Sequence, residues 1–342
     1  MTNCRTHVCI MDEYYMRLLS LNVRGLRGKL KRISVYEFIK NKQIDICFLQ
    51  ETHCTAEDEI TWKNEWGGEI LFSNGTNLAR GVMILLKPGL DLIVQKVTKD
   101  DHGRFIFLEG IYHGVTFRYI NIYSPNLQNV QKQFYINLNN QLKTLIPEDE
   151  KENLVIGGDF NVIFDPTLDR KGGNFNQTPI YHDIIDQIDG MVNCYNLSDI
   201  WRKRNPELMQ FTWRQKNPRI YSRLDIWLIS DNIQDYVKDV SIKQSIRSDH
   251  SAIFLEVDSF ATDRGKGYWK LNNSFLDEEK YVSGMIEGLE NWSKECEDFE
   301  DARIIWEFLK YKIRCFSLDY GKQKNRNKDK TGKELQKKQK YF

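Results

Sequence analysis

Residues 157–170, GGDFNVIFDPTLDR, follow an apolar run (Leu154, Val155, Ile156) and constrain the chain more than any other stretch. Side chains alternate along an extended segment, so Asp159 and Asn161 point one way while Phe160 turns back into the protein. The two glycines let another chain or a phosphate come close. An acid beside an amide at the C-terminal end of a strand can position and deprotonate a water. A lone Gly-Asp-x-Asn is equally an ordinary turn, so the other segments must decide.

Those segments repeat the arrangement. Residues 17–23 read as a strand ending near Asn22, 31–42 as a helix with Ile33, Tyr36, Phe38 and Ile39 on its apolar face, and 44–49 as a buried strand delivering Gln50, Glu51, Thr52 and His53. Strand-like runs follow at 69–72, 81–86, 90–97, 104–111 and 116–123, the last closed by Pro125. Residues 127–146 have the period of an amphipathic helix with Val130, Phe134, Leu138, Leu142 and Leu145 on one face, and 180–191 form another helix. Strand-like segments at 211–214, 222–229 and 251–257 complete the set. Strands with irregularly interspersed helices predict an α/β fold of two mixed sheets packed face to face with helices outside. Residues 1–15 are expected to be a loose lead-in, 16–258 the main domain, and 259–342 a linker and helical extension anchored by Trp292, Trp306 and Phe308.

Composition excludes some classes. The longest apolar run, 82–86, is far shorter than the ~18 residues of a membrane span, and the N-terminus carries no apolar signal core. The seven cysteines form no CxxC pair, which argues against a zinc site and a disulfide framework and leaves reduced thiols in an intracellular protein. The net charge of +1 hides an asymmetry: residues 287–301 hold seven acids and one lysine, while 320–342 hold nine Lys/Arg against two acids. Such a basic end can touch nucleic acid or be a solvated helix or tail.

The strand ends supply Asn22, Glu51, Tyr123, Asp159, Asn161, Asp225, Asp249 and His250. Open sheet proteins assemble their sites where strands stop. Glu51 with Asn22 offers hard oxygen ligands of the kind Mg²⁺ takes, with Mn²⁺ as a substitute. Each residue has an ordinary role too: a cap, a turn, a core aromatic, a surface histidine. Jointly they fit phosphodiester hydrolysis, with a metal on Glu51 stabilising charge and Asp159 and Asn161 activating water. His250, held by Asp225, would contact a phosphate oxygen, and Tyr123 would donate to the same phosphate. Arg214, Lys216 and Arg219 make 215–221 a basic hairpin suited to a DNA groove, or a solvated turn.

At these residues the chain resembles the endonuclease/exonuclease/phosphatase family. The blocks that carry the resemblance are SLNVRGLRG (20–28), FLQETH (48–53), NIYSPN (121–126), 157–170, FTW (211–213), SRLDIWLIS (222–230) and RSDHSAI (247–253). The resemblance implies a four-layer α/β sandwich, a divalent metal and phosphodiesterase chemistry, and it adds Thr212 and Ser248 as groups that hydrogen-bond near the phosphate. Within the family the chain looks like the endonuclease domain of a non-LTR retrotransposon polyprotein, and GYWKLNNSFL (267–276) resembles the segment joining such nucleases to a polymerase. This implies a monomer acting in the nucleus on double-stranded DNA, not at a membrane, with a reverse-transcriptase domain missing from this chain. Abasic-site repair nucleases are the nearest competitor. They usually carry a Trp before Arg-Leu-Asp as a wall of the sugar pocket, where this chain has Ser222. A phosphatase or sphingomyelinase-type lipid phosphodiesterase would need apolar membrane-directed loops, and a retired binding module would have lost catalytic residues; neither is seen.

Overall fold

The computed structural model describes residues 15–147, 150–175, 177–258, 271, 273–296 and 301–339. The predicted lead-in, apart from Tyr15, and the predicted linker at 262–267 lie outside the described residues. Contacts divide the chain into two units, 1–261 and 262–342, each described by itself.

In chain order the first unit contains β1 (Tyr15–Asn22), α1 (Lys29–Asn41), β2 (Ile46–Gln50), α2 (Glu59–Trp66), β3 (Ile70–Ser73), β4 (Val82–Leu86), β5 (Leu92–Lys99), β6 (Phe105–Tyr112), β7 (Val115–Tyr123), α3 (Gln128–Leu145) and β8 (Leu154–Asp159). It continues through β9 (Arg170–Lys171), α4 (Pro179–Cys194), β10 (Leu197–Asp199), α5 (Ile200–Arg204), β11 (Trp213–Gln215), β12 (Ile220–Ser222), β13 (Asp225–Ser230), α6 (Asp231–Gln234), β14 (Val237–Lys243) and β15 (Ala252–Asp258). One six-stranded sheet has the order β14-β15-β1-β2-β4-β3 and the other β10-β13-β8-β7-β6-β5, while β11-β12-β9 form a small third sheet. Both large sheets are mixed: β1 pairs parallel with β2 and β7 with β8, and the other neighbours are antiparallel.

Three apolar clusters define four layers. Phe48, Ile84, Leu108, Tyr119, Val155 and Trp227 fill the space between the sheets. Tyr36, Ile39, Trp62 and Trp66 of α1 and α2 cover the outer face of the first sheet, and Tyr135, Leu142, Ile184 and Ile188 of α3 and α4 cover that of the second. Covering both faces explains why β2, β4, β8 and β13 are buried at every residue and read as continuous apolar runs. The glycine pair has a packing role: a Cβ at Gly157 would strike the Trp227 ring, and one at Gly158, at φ +141°, the Ile122 carbonyl oxygen.

Two helical faces differ from the periodicity. On α3 the buried residues are Gln131, Tyr135, Leu138 and Leu142, with Val130 exposed; on α1 they are Arg32, Val35, Tyr36 and Ile39, with Ile33 half exposed. In each case a polar side chain takes a core position because its partners are there: Arg32 forms a two-point ion pair with Glu65 at 2.5 and 2.9 Å, and Gln131 braces the site. The helix α2 escaped the sequence pattern because only Trp62 and Trp66, one turn apart, are buried in it. Gly67, at φ +78°, ends it.

The second unit contains α7 (Glu279–Glu295) and α8 (Ala302–Gln339), so the basic end is helical through Gln339. Its aromatic cluster is Phe275, Tyr281, Phe316 and Tyr320, with the Tyr281 hydroxyl 2.7 Å from Ser317 Oγ. Trp292 meets Phe316, but the expected anchor Trp306 is 59% exposed, because it lies off the face that α8 turns to α7. Among the described residues no helix is long and apolar enough to cross a membrane.

Candidate active site

Strand register sets the site. Tyr123, Asp159 and Asp225 are direct partners across β7, β8 and β13, so three adjacent strands of the second sheet end level. In the first sheet Asn22 pairs with Gln50, and Glu51 follows at φ +51°. A buried polar staple joins the sheets just beneath: Gln50 Nε2 donates to Asn121 Oδ1 at 2.7 Å, and Asn121 Nδ2 donates to the Met83 and Leu49 carbonyls. These hydrogen bonds hold the two sheets in one relative position, although Gln50 Oε1 itself is buried without a partner.

Asn22 spans the sheets. Its Nδ2 donates to Glu51 Oε1 at 3.1 Å and to Asp159 Oδ2 at 2.9 Å, while its Oδ1 accepts from the Arg24 N–H. Through Nδ2 it positions two carboxylates, while the Oδ1 expected as a metal ligand accepts a backbone N–H. Tyr123, expected to donate to the phosphate, donates its hydroxyl to Glu51 Oε1 at 2.7 Å, and burial pushes its phenol well above the usual range. Glu51 therefore has one oxygen fixed by two donors and the other without a hydrogen bond from the described residues.

On the opposite side His250 Nδ1 lies 2.8 Å from Asp225 Oδ2, and its Nε2 3.9 Å from Asp159 Oδ2. Burial alone would lower the imidazole, but Asp225, with Asp159 and Asp249, outweighs it and pushes His250 up to about 9. Burial and the neighbouring Asp225 charge raise the Asp159 carboxyl far above its ordinary value, against the pull of His250 and Asn22. Thr212 and Ser248 act as braces. Thr212 Oγ1 accepts from the Leu224 and Asp225 N–H groups at 2.9 and 3.1 Å, and Ser248 Oγ donates to the Asn22 carbonyl and accepts from the His250 N–H.

Asn161 reaches the site by a turn, at φ +50°, after β8 has ended at Asp159, so strand alternation is not what brings the pair together. Its N–H donates to Asp159 Oδ1 and its Nδ2 to the Ser124 carbonyl, while Gln131 of α3 donates to the Ser124 hydroxyl and to the Phe160 and Asn161 carbonyls. Arg24, Glu51, Asn161 and Arg247 all hold positive φ, and such backbone outliers persist where surrounding structure over-determines them.

Glu51, Gln131, Asp159, Asn161 and His250 line a cleft of about 390 Å³. Arg24 and Asp249 stand on one wall, with Arg24 Nη1 3.3 Å from Asp249 Oδ2. On the other, where a Trp wall was expected to be missing, Ser222 accepts from Arg170 Nη1 at 3.4 Å and the Arg170 guanidinium lies over the Phe175 ring. Trp213 lines the same cleft and forms a β-bridge with His250. Arg214, Lys216 and Arg219 are exposed on the β11–β12 hairpin beyond Trp213, outside the cleft. Behind β13, Asp169 takes two bonds from Arg223, at 2.7 and 2.9 Å, and one from Arg202, all beside the loop that leads into Asp225. Neither Arg24 nor Arg170 stood out in the sequence as a site residue; for Arg24 the only signal was a basic side chain two residues after Asn22.

Residues 19–250 match the Endonuclease/Exonuclease/phosphatase family. The chain belongs to that family. It is 27% identical over 310 residues to the transposon TX1 uncharacterized 149 kDa protein of Xenopus laevis, which covers 90% of this chain and 23% of the relative, so the chain spans about a quarter of that protein's length. Among solved structures it is similar to the abasic-site endonuclease LMAP of Leishmania major (TM-score 0.61, 17% identity, 71% of this chain and 88% of that one). It is similar as well to the endonuclease domain of TRAS1, a telomere-specific non-LTR retrotransposon (TM-score 0.52, 13% identity, 72% and 99%). Both share the fold, and the chain is an Endonuclease/Exonuclease/phosphatase family member with a transposon relative.

The family uses a divalent metal, and the residues fit one. Among the described residues one Glu51 carboxylate oxygen takes no hydrogen bond, and Asp249 Oδ1 and Asp225 Oδ1 are buried without hydrogen-bond partners; each is a hard oxygen of the kind a cation takes. Asp159, Asp225 and His250 also bring ligand atoms within 4.8 Å of one another. A histidine already paired at Nδ1 and raised to about 9 is protonated near neutral pH, so that trio suits proton transfer better than ligation.

Proposed function

We propose that this chain is a Mg²⁺-dependent endonuclease that nicks double-stranded DNA and leaves a 3′ hydroxyl for primed reverse transcription. The observation that carries the reading is the extent of likeness to the transposon protein, which runs past residue 250, where the family match stops, to take in 90% of the chain. The abasic-site endonuclease corresponds to 71% of it. On this reading the substrate is chromosomal DNA, the place of action is the nucleus, and a reverse-transcriptase domain is the partner. A monomer suffices, since one chain supplies every proposed site residue.

When bound, Mg²⁺, or Mn²⁺ in its place, supplies charge stabilisation at the scissile phosphate and leaving oxygen. Glu51, fixed by Asn22 and Tyr123, is the carboxylate to hold it. Asp159 accepts the proton of a water that Asn161 orients, and its raised basicity suits a general base near neutral pH. Protonated His250, aligned by Asp225, donates from Nε2 to a phosphate oxygen. Arg214, Lys216 and Arg219 supply groove and backbone contacts beyond the cleft.

The second reading, an abasic-site repair nuclease, draws on the aromatic lining of the cleft by Trp213, Phe175 and Tyr181. Nicking of supercoiled plasmid with Mg²⁺, abolished by chelator, tests the nuclease. Cleavage of an undamaged A/T-rich duplex beside the same duplex with one abasic site separates the two readings, and comparable rates are expected. A preference of ~10³-fold or more for the abasic duplex would overturn the transposon reading in favour of repair.

A further inference from the structure

Arg24 stands where a nuclease cleft needs a reason for it. It follows Asn22, the residue that joins both sheets, by two positions, and its backbone is held at φ +48° by the bond from its N–H to Asn22 Oδ1. Its guanidinium pairs with Asp249, on the wall of the cleft that Glu51 also lines. The pair is wet: the Arg24 side chain is 67% exposed and that of Asp249 30%. Asp249 gives only Oδ2 to it and keeps Oδ1 buried and unpartnered. Lys31 donates to the Arg24 carbonyl at 3.0 Å, and its ammonium is lowered by burial and then by Arg24, with Arg247 adding to the effect, so three cations converge on two carboxylates.

An exposed ion pair of this kind holds weakly, by at most about 1 kcal/mol, and exchanges readily for a better partner. A phosphate is that partner, because the planar guanidinium fork matches two of its oxygens. A divalent cation at Asp249 would in turn be opposed by the guanidinium already there. Building on the nuclease reading above, we infer that Arg24 is a phosphate ligand that changes partners. In the free protein it rests on Asp249 and weakens cation binding there; with a DNA strand in the cleft it moves to a phosphate oxygen and opens Asp249 to the cation. Cation and substrate therefore bind cooperatively, through one side chain.

The test uses Arg24→Met, which keeps the stem and removes the charge of an exposed residue, and Arg24→Lys, which keeps the charge and loses the fork. Duplex binding is followed by fluorescence anisotropy in chelator across a salt series. Mn²⁺ binding to DNA-free protein is followed by calorimetry. Arg24→Met should lower the slope of log affinity against log salt by about one, as loss of one phosphate contact requires. It should also bind Mn²⁺ about two- to fivefold more tightly, the worth of an exposed ion pair. Arg24→Lys should keep the wild-type slope. A wild-type slope in Arg24→Met overturns the phosphate assignment, and a wild-type Mn²⁺ affinity overturns the competition. Failure of the wild-type protein to nick plasmid would strike the nuclease reading, whereas nicking by a wild type whose Arg24→Met variant is unchanged in both measurements would strike only the assignment of Arg24.

Discussion

His250 Nδ1 and Asp225 Oδ2 lie 2.8 Å apart in a wall where His250 is 7% exposed and Asp225 1%. With the carboxylate charged, this contact makes the imidazole a donor at both nitrogens and reverses the effect of burial on its protonation. The same Asp225 raises Asp159 from the adjacent strand, so a single carboxylate sets the acid and the base apart in role.

That relationship predicts the pH profile of nicking. Activity should need Asp159 deprotonated and His250 protonated, giving a bell whose falling limb reflects an imidazole near 9. Asp225→Asn removes the charge that raises His250 and leaves the burial that lowers it, so the falling limb should move toward or below 6.5, the ordinary imidazole value. A pH–rate profile of the variant with an unmoved falling limb would show that His250 is not the titrating acid.

Asp159→Ala and His250→Ala should each cut nicking by ~10² to 10⁴, the usual loss for a placed base or a transition-state donor. Asp159→Ala should not unfold the domain, since a buried carboxyl so strongly raised contributes little to folding as an anion, whereas His250→Ala leaves Asp225 without its partner and should lower the melting temperature while leaving the domain folded. Melting temperature and duplex binding in chelator check the fold, and wild-type nicking by either variant would refute its role.

Arg223 is 1% exposed and carries Asp169 and Asp199 at 2.7 Å each. Arg223→Met should destabilise by about 3–5 kcal/mol, because it strands buried carboxylate charge. Urea unfolding measures this, and the double variant with Asp169→Asn should recover part of the loss. A change below about 1 kcal/mol would mean that water replaces the guanidinium.

Replacing residues 215–220 with a Gly/Ser turn should redistribute nick positions while leaving the rate on plasmid within about an order of magnitude, since the hairpin lies outside the cleft and groove contacts act on selection. Sequencing of nick sites on a plasmid reads this directly, and an unchanged pattern would remove the loop from target choice.

The large strands were legible because sheets covered on both faces demand unbroken apolar runs, as in VMILL of β4 and the start of β8. The helices were legible in extent but not always in face. Periodicity marked Val130 as core, whereas Gln131 takes that place with three acceptors that come from residues 124, 160 and 161. No local pattern encodes partners so near in space and so scattered in sequence. Trp306 misled for the opposite reason: its size suggests an anchor, and only the pairing of α7 with α8 shows which face is used.

What the sequence determined by itself is the identity of the chemical groups and their place at strand ends, since alternation, glycine positions and polar punctuation are local properties. What only tertiary structure decided is the task of each group. Asn22, expected to ligate, orients Glu51 and Asp159; Tyr123, expected on the phosphate, holds Glu51; Thr212 and Ser248 brace Asp225 and His250; and Arg24, unremarked in the sequence, sits on Asp249. The tasks of Asn22, Tyr123 and Arg24 depend on distances of about 3 Å between residues 29 to 225 positions apart, and hydrogen bonds are too short-ranged for a sequence to specify until packing of the two sheets brings their ends together.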